Sequence, residues 1–145
     1  VCLSKGLGAP MGSVLIGNKN LMKGALRVRK ILGGGMRQVG FAAAAGLYGL
    51  DHHFERLAED HKKAKEIGEA LLAINAIKKV EPIETNIVIF ELKDTVDETY
   101  FLNTLKAHHI YIIGMGSHKL RMVTHLDYTN EMHQQLLRVL KTLAF

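Results

Sequence analysis

The order of apolar and polar positions along the chain predicts both strands and helices. Val1–Ser4 and Val14–Ile16 are short apolar runs bounded by glycine or a turn, and we expect each to belong to a buried strand. Residues 19–32 keep their apolar side chains on one helical face, which predicts an amphipathic helix. Asn18 is its candidate N-cap, and Gly33 is placed to end it.

Charged residues become frequent near Asp51, and we place a domain boundary there. Before it, residues 38–50 are small and apolar, which predicts a helix buried on all sides, as at a subunit contact. After it, helical spacing predicts a long amphipathic helix from about residue 53 to residue 74. The remaining predicted elements are strands at 87–92, 111–113 and 119–123, a helix at 96–107, and a last helix after Thr129 with the apolar stripe Met132, Leu136, Leu140 and Leu143.

These elements predict an α/β chain of two domains, residues 1–50 and residues 51–145. In the second domain we expect a small sheet that is covered by helices. With 145 residues, 48% of them hydrophobic and 23% charged, the chain has the profile of a globular protein with a real core.

Composition narrows the classes of partner without choosing one. The formal charge of +5 suits an anionic ligand, such as a phosphate, a carboxylate or a nucleic acid. The single cysteine, Cys2, excludes an internal disulfide and fits a reducing compartment. We find neither a signal peptide nor an apolar run near the roughly 20 residues of a membrane span, so we expect a cytoplasmic protein without a membrane partner.

A lysine precedes a glycine-rich loop near the start of the chain. Lys5 follows the apolar run Val1–Ser4, and no acidic residue occurs before Asp51. Apolar surroundings disfavour the protonated form of an amine, and only the free amine attacks a carbonyl carbon. Lys5 is therefore a candidate Schiff-base lysine, and the alternative is an ordinary surface lysine beside a turn.

Three strings resemble motifs of one enzyme family. They are SKGLGAP at Ser4–Pro10, GGGMRQ at Gly33–Gln38 and LRMVTHLD at Leu120–Asp127, and they resemble those of low-specificity L-threonine aldolases. The resemblance runs from Val1 to about Asp127, nearly the whole chain. These aldolases use pyridoxal 5'-phosphate and have the aspartate-aminotransferase fold type I.

The resemblance implies an organisation as well as a fold. Residues 1–50 would be the C-terminal part of a large domain that binds pyridoxal phosphate, and residues 51–145 would be the small C-terminal α/β domain. The chain would then be the C-terminal part of a longer polypeptide, and we expect the 145 residues alone to be inactive. The family also suggests a homo-oligomer, a dimer or a tetramer, with sites near the subunit interfaces.

The resemblance also implies roles for four side chains. Lys5 would form the Schiff base with pyridoxal phosphate, and Arg37 would contact the cofactor phosphate. Arg121 would hold the carboxylate of the amino-acid substrate with two parallel hydrogen bonds. Lys30 matches a family lysine close to the substrate, although a solvated helix face explains it equally well. The reaction would be cleavage of L-threonine or L-allo-threonine to glycine and acetaldehyde.

We also considered other kinds of site, and particular residues exclude some of them. A dinucleotide-binding loop is excluded because Met11 stands where its third glycine is needed, and no cysteine pair or HExxH motif supports a metal site. Another fold-type I lyase stays open. A basic nucleic-acid-binding module would rest on Arg27, Arg29, Lys30 and Arg37, but no aromatic residue interleaves with them, so we expect no nucleic acid.

Overall fold

The computed structural model describes residues 1–142 of the chain. They divide into two compact units, Val1–Arg56 and Leu57–Phe145, the second described as far as Thr142. The assignment of residues 1–50 and 51–145 to two domains of a larger enzyme stays a prediction. Within the described residues, no helix is both long and apolar enough to cross a membrane.

The first unit contains two helices, α1 (Lys19–Ile31) and α2 (Gly40–His53). The predicted cap of α1 is confirmed, because the side chain of Asn18 accepts a hydrogen bond from the backbone N–H of Leu21 at 2.9 Å. The predicted end is confirmed too. Gly33 has a φ of +79°, and its N–H donates to the Lys30 carbonyl at 3.2 Å, so the glycine turns the chain away from the helix.

The two strands predicted at the start of the chain do not form. Residues 1–4 make a single antiparallel bridge, between Cys2 and Ser13, and Val14 exchanges backbone hydrogen bonds with Val1 at 2.7 and 2.8 Å, but neither run is an extended strand. Ile16 is 74% exposed. A strand needs a ladder of backbone hydrogen bonds along an extended partner, and among residues 1–142 the pairing of these two runs stops after a few bonds.

Helix α2 is not buried on all sides within residues 1–142, and its burial at a subunit contact stays a prediction. Only Gly46 and Gly49 of this helix are buried, and Phe41 is 86% exposed. The helix begins two residues after the expected start and continues to His53. The apolar side chains of α2 therefore form a surface that the rest of residues 1–142 does not cover.

As far as Thr142, the second unit contains three helices, α3 (Leu57–Leu72), α4 (Glu98–Ala107) and α5 (Asn130–Thr142). The long helix expected from residue 53 begins later because α2 extends to His53. Asp97 caps α4 by accepting from the N–H groups of Thr99 and Tyr100. The predicted cap of α5 is confirmed, since Thr129 Oγ1 accepts from the Met132 N–H at 3.3 Å.

A four-stranded antiparallel sheet lies against these helices. Its strands are β1 (Ile77–Val80), β2 (Ile87–Leu92), β3 (Ile113–Gly116) and β4 (Lys119–Val123), in the order β1-β2-β4-β3. The bounds predicted for β2 and β4 are confirmed. The strand expected at 111–113 begins two residues later, as β3. Strand β1 was not predicted, because two of its four residues, Lys78 and Lys79, are charged and the segment has no apolar run typical of a strand.

The core of the second unit joins one face of the sheet to α3, α4 and α5. Val88, Phe90 and Leu92 alternate on the buried face of β2 and are fully buried. In the predicted stripe of α5, Leu136 and Leu140 are buried, Met132 is 53% exposed, and Leu143 lies outside the described residues. The α/β class and the small sheet covered by helices are therefore confirmed.

Candidate functional site

Lys5 lies on a loop that is closed by backbone hydrogen bonds. The Leu3 N–H donates to the Gly12 carbonyl at 2.9 Å, and the Ala9 N–H donates to the Leu3 carbonyl at 3.1 Å. Inside this frame the Gly8 N–H donates to the Lys5 carbonyl at 2.8 Å, and Gly8 adopts a φ of +69°. Lys5 therefore stands in a tight turn whose two ends are held together.

The Lys5 loop packs against helix α2 at two glycines of the helix. Leu3 and Leu7 are buried, and a Cβ added to Gly46 would lie 2.9 Å from Leu3 Cδ1. A Cβ added to Gly49 would lie 2.7 Å from the Leu7 carbonyl oxygen. The absence of side chains at these two positions of α2 is what lets the Lys5 loop rest on the helix.

A histidine adds a polar contact to the same support. His53 Nδ1 donates a hydrogen bond to the Leu7 carbonyl at 2.8 Å, since a carbonyl oxygen can only accept. The loop thus has one apolar anchor at Leu3, a second at Leu7, and one hydrogen bond from the last residue of α2. Sequence reasoning missed this arrangement, although the i, i+3 spacing of Gly46 and Gly49 was its visible signal.

The side chain of Lys5 is exposed, so the apolar enclosure that the sequence suggested is wrong for this chain. Two apolar neighbours in the sequence, Leu3 and Leu7, turn inward toward α2, and Lys5 turns outward between them. Cys2 lies close by, with its Sγ 3.4 Å from Ser4 Oγ. The hydrogen bond with Ser4 lowers the pKa of the Cys2 thiol.

Lys30 and Arg37 flank the glycine turn at the end of α1. The Lys30 side chain folds over the turn, with Nζ 3.2 Å from the position of a Cβ on Gly35. At Gly34 an added Cβ would lie 3.2 Å from the Arg29 carbonyl and 2.8 Å from Arg29 Cγ. The turn therefore requires glycine, and it places the Lys30 ammonium above its own backbone.

Arg37 follows the glycine turn after Met36 and is exposed, and the next residue, Gln38, has a φ of +49°. A left-handed conformation is uncommon for a residue other than glycine and costs on the order of 1 kcal/mol. The string GGGMRQ is thus a bent and partly strained connection between α1 and α2. Lys5, Lys30 and Arg37 all belong to the first unit.

Arg121 belongs to the second unit, at the centre of β4. Its register partners are Ile89 on β2 and Ile113 on β3. The side chain is half-buried, and its Nε atom is buried without a hydrogen-bond partner among the described residues. A buried guanidinium N–H without an acceptor costs free energy, which makes it a ready donor to an anion.

The end of β4 is fixed next to this arginine. Asn86 and Thr124 form a reciprocal pair, because the Asn86 side-chain amide donates to the Thr124 carbonyl at 2.7 Å and the Thr124 N–H donates to the Asn86 carbonyl at 3.0 Å. The hydroxyl of Thr124, which is almost fully buried, donates to the Asp60 carbonyl at 2.8 Å. These bonds tie β4 to β2 and to α3 three residues after Arg121.

Comparison with known families matches residues 1–95 of the chain to the family model described as beta-eliminating lyase. The chain belongs to the beta-eliminating lyase family. The match includes the Lys5 loop, the glycine turn with Arg37 and both helices of the first unit.

Curated relatives confirm the resemblance to low-specificity L-threonine aldolases. The chain is 39% identical over 140 residues to low-specificity L-threonine aldolase 1 of Arabidopsis thaliana, which covers 94% of the chain and 39% of the relative. It is 41% identical over 131 residues to the low specificity L-threonine aldolase of Escherichia coli K12, covering 90% of the chain and 38% of the relative. The chain thus spans about two fifths of the length of these relatives.

Solved structures agree on the fold. A decarboxylase from Sulfurospirillum multivorans matches 81% of the chain and 36% of its own length, with a TM-score of 0.60 and 20% identity. A C-DES variant with glycine covalently linked to its PLP cofactor matches 72% of the chain and 28% of its own length, with a TM-score of 0.55 and 15% identity. At these identities the likeness concerns the fold, and the predicted aspartate-aminotransferase fold type is confirmed.

Proposed function

We propose that the protein is a pyridoxal-phosphate-dependent aldolase that cleaves L-threonine or L-allo-threonine to glycine and acetaldehyde. The observation that supports this most strongly is the geometry of the Lys5 loop in a chain that is similar to threonine aldolases. The loop is closed by backbone hydrogen bonds and presents one exposed amine at its turn. An amine in this position can form a Schiff base with the aldehyde of the cofactor.

The residues of the first unit suit the cofactor. No acidic residue occurs before Asp51, so a phosphate near the glycine turn meets no carboxylate from this part of the sequence. Lys30 and Arg37 offer a positive charge on either side of that turn, and the backbone at Gly33 has nothing within 4 Å of an added Cβ. When bound, pyridoxal phosphate supplies an electron sink for the bond that breaks.

Arg121 of the second unit would bind the carboxylate of the substrate. Arg121 has a buried Nε without a partner, and a substrate carboxylate would accept from it. Because the guanidinium is planar, two parallel hydrogen bonds would fix the plane of the carboxylate as well as its position. The Asn86–Thr124 pair and the Thr124–Asp60 hydrogen bond would keep β4, and therefore Arg121, in place.

Lys30 would hold an anion at the glycine turn. Its ammonium lies over Gly35 in this structure, which suits a phosphate or a carboxylate that approaches the glycine turn. A homo-oligomer, either dimer or tetramer, and a cytoplasmic location stay predictions. The exposed apolar side chains of α2 are compatible with a subunit contact.

The test is cleavage of threonine by the full-length protein, with acetaldehyde and glycine measured separately. We expect Lys5→Ala to abolish cleavage, and Arg121→Gln to raise KM for threonine because the carboxylate loses its bidentate partner. Lys19→Ala, at the first residue of α1, is the matched control and should behave like the wild type. Elimination or racemisation products without acetaldehyde would indicate another fold-type I enzyme and contradict the aldolase proposal.

A further inference from the structure

The second unit contains a cavity of about 510 Å³ at the edge of its sheet. It lies where β4 continues past the start of β3, between the segment 109–113 and the helices α3 and α5. This volume is within the range of small-molecule sites, roughly 300–1,000 Å³. Its walls are mostly apolar and include Ile67, Ile110, Ile112, Met122, Met132 and Leu136.

Arg121 is the one lysine or arginine side chain among the described residues that line this cavity. Its Nε atom is buried and lacks a hydrogen-bond partner, and no acidic side chain of residues 1–142 forms an ion pair with it. A guanidinium beside apolar walls and without a counter-charge favours a ligand that brings one negative charge and an apolar body.

Among the described residues, no acidic side chain lines the cavity, and its other polar lining residues are His109, Tyr111, Thr124, Tyr128 and Gln135. Tyr128 lines the cavity, and its hydroxyl lies 3.2 Å from His133 Nδ1. His133 Nε2 in turn lies 2.7 Å from Glu66 Oε2, so the carboxylate of Glu66 is paired with the histidine. The Tyr128 hydroxyl is neutral at physiological pH, and burial raises its pKa further, to about 12.

We propose that this cavity binds a small monocarboxylate with an apolar chain, whose carboxylate lies on Arg121 and whose chain lies among the apolar walls. Threonine has a short, hydroxylated side chain and would leave most of this volume empty, so the ligand is a different molecule from the proposed substrate. A free phosphate has no apolar part and would make no hydrophobic contact with the walls of the cavity. Bound in this way, the monocarboxylate competes with the amino-acid substrate for the same guanidinium. The competition, unlike the binding, rests on the proposed function.

The experiment uses hexanoate as the probe and the full-length protein labelled for methyl NMR. Hexanoate should shift the methyl signals of Ile67, Ile112 and Met132, whereas acetate, without a chain, and hexanol, without a charge, should bind more weakly. Arg121→Gln should lower the affinity for hexanoate about tenfold or more, since a hydrogen bond to a charged group is lost. Arg138→Gln, at an exposed arginine on α5, is the matched control and should retain the affinity.

A second variant separates a lost site from a misfolded protein. Met132 is half-exposed on α5 and lines the cavity, so Met132→Trp should narrow the cavity and weaken hexanoate binding while Arg121 itself is retained. No binding, binding that survives Arg121→Gln, or methyl shifts away from the cavity would each overturn the proposal.

Threonine cleavage distinguishes this proposal from the aldolase proposal. Hexanoate should raise the apparent KM for threonine and leave kcat unchanged. Threonine cleavage without hexanoate binding would overturn the cavity proposal alone. Hexanoate binding as described, in a protein that does not cleave threonine, would overturn the aldolase proposal and the competition, and the binding site would stand.

Discussion

Gly49 and Leu7 stand so close that a Cβ on the glycine would lie 2.7 Å from the leucine carbonyl oxygen. The same carbonyl accepts a hydrogen bond from His53, one helical turn further along α2. These two contacts fix the backbone of the Lys5 loop at its far side. The position of the lysine therefore depends on residues that are more than forty positions away in the sequence.

Gly49→Ala should displace the Lys5 loop. The added methyl group meets backbone rather than a flexible side chain, and we expect the free energy of unfolding to fall by about 1–3 kcal/mol, as for other overpacked sites. Pyridoxal phosphate should also bind more weakly, measured by titration of the protein with the cofactor.

Gly24→Ala is the control for this change. Gly24 lies inside α1 with nothing within 4 Å of an added Cβ, so alanine should raise the free energy of unfolding by about 0.5–1 kcal/mol and leave cofactor binding unchanged. Equal behaviour of the two variants would show that the contact between Gly49 and Leu7 does not hold the loop.

Several helices and strands could be predicted from the sequence because residues within or next to each element determine where it begins and ends. Asn18 and Gly33 mark the ends of α1, and the short strand-like runs at residues 87–92 and 119–123 coincide with β2 and β4. The strands expected at Val1–Ser4 and Val14–Ile16 failed because a strand also needs an extended partner, which no local pattern supplies.

The candidate site could be predicted only in part. The family resemblance implies roles for Lys5, Lys30, Arg37 and Arg121, whereas the surroundings of these residues depend on tertiary packing. The exposure of Lys5, its support on Gly46 and Gly49, and the unpartnered Nε of Arg121 arise from contacts between distant segments. The spacing of residues along the sequence does not indicate which distant segments come into contact.

Thr124→Val should loosen the end of β4. The substitution keeps the shape of the side chain but removes the hydroxyl that donates to the Asp60 carbonyl in a buried setting. We expect a loss of about 1–3 kcal/mol in the free energy of unfolding, measured by urea denaturation.

Thr124→Ser keeps this hydroxyl and serves as the control, with a smaller loss. In the active protein Thr124→Val should also raise KM for threonine more than Thr124→Ser does, because Arg121 lies on the same strand. A valine variant as stable as the serine variant would contradict the role of the hydroxyl.

Tyr128 should make stability depend on pH in the alkaline range. Burial raises the pKa of its hydroxyl from 10.0 to about 12, so the folded state holds this proton more tightly than the unfolded chain does. The resulting stability is fully present below pH 10 and is lost as the pH rises through about 12. Urea denaturation at a series of pH values should therefore show a steeper alkaline loss for the wild type than for Tyr128→Phe.

Tyr111→Phe is the matched control, because Tyr111 is 73% exposed in the same unit. Its alkaline stability should follow the wild type. If Tyr128→Phe and the wild type lose stability in parallel between pH 10 and 12, the burial of Tyr128 does not restrain its ionisation.

The attachment of the cofactor to Lys5 is the central claim of the account. Borohydride reduction of the full-length protein with pyridoxal phosphate fixes the cofactor to the lysine that holds it, and peptide mass spectrometry then locates the modified residue. We expect the modification on the peptide that contains Lys5, and its absence after Lys5→Ala. Modification of another lysine in the wild type, or no modification at all, would contradict the account.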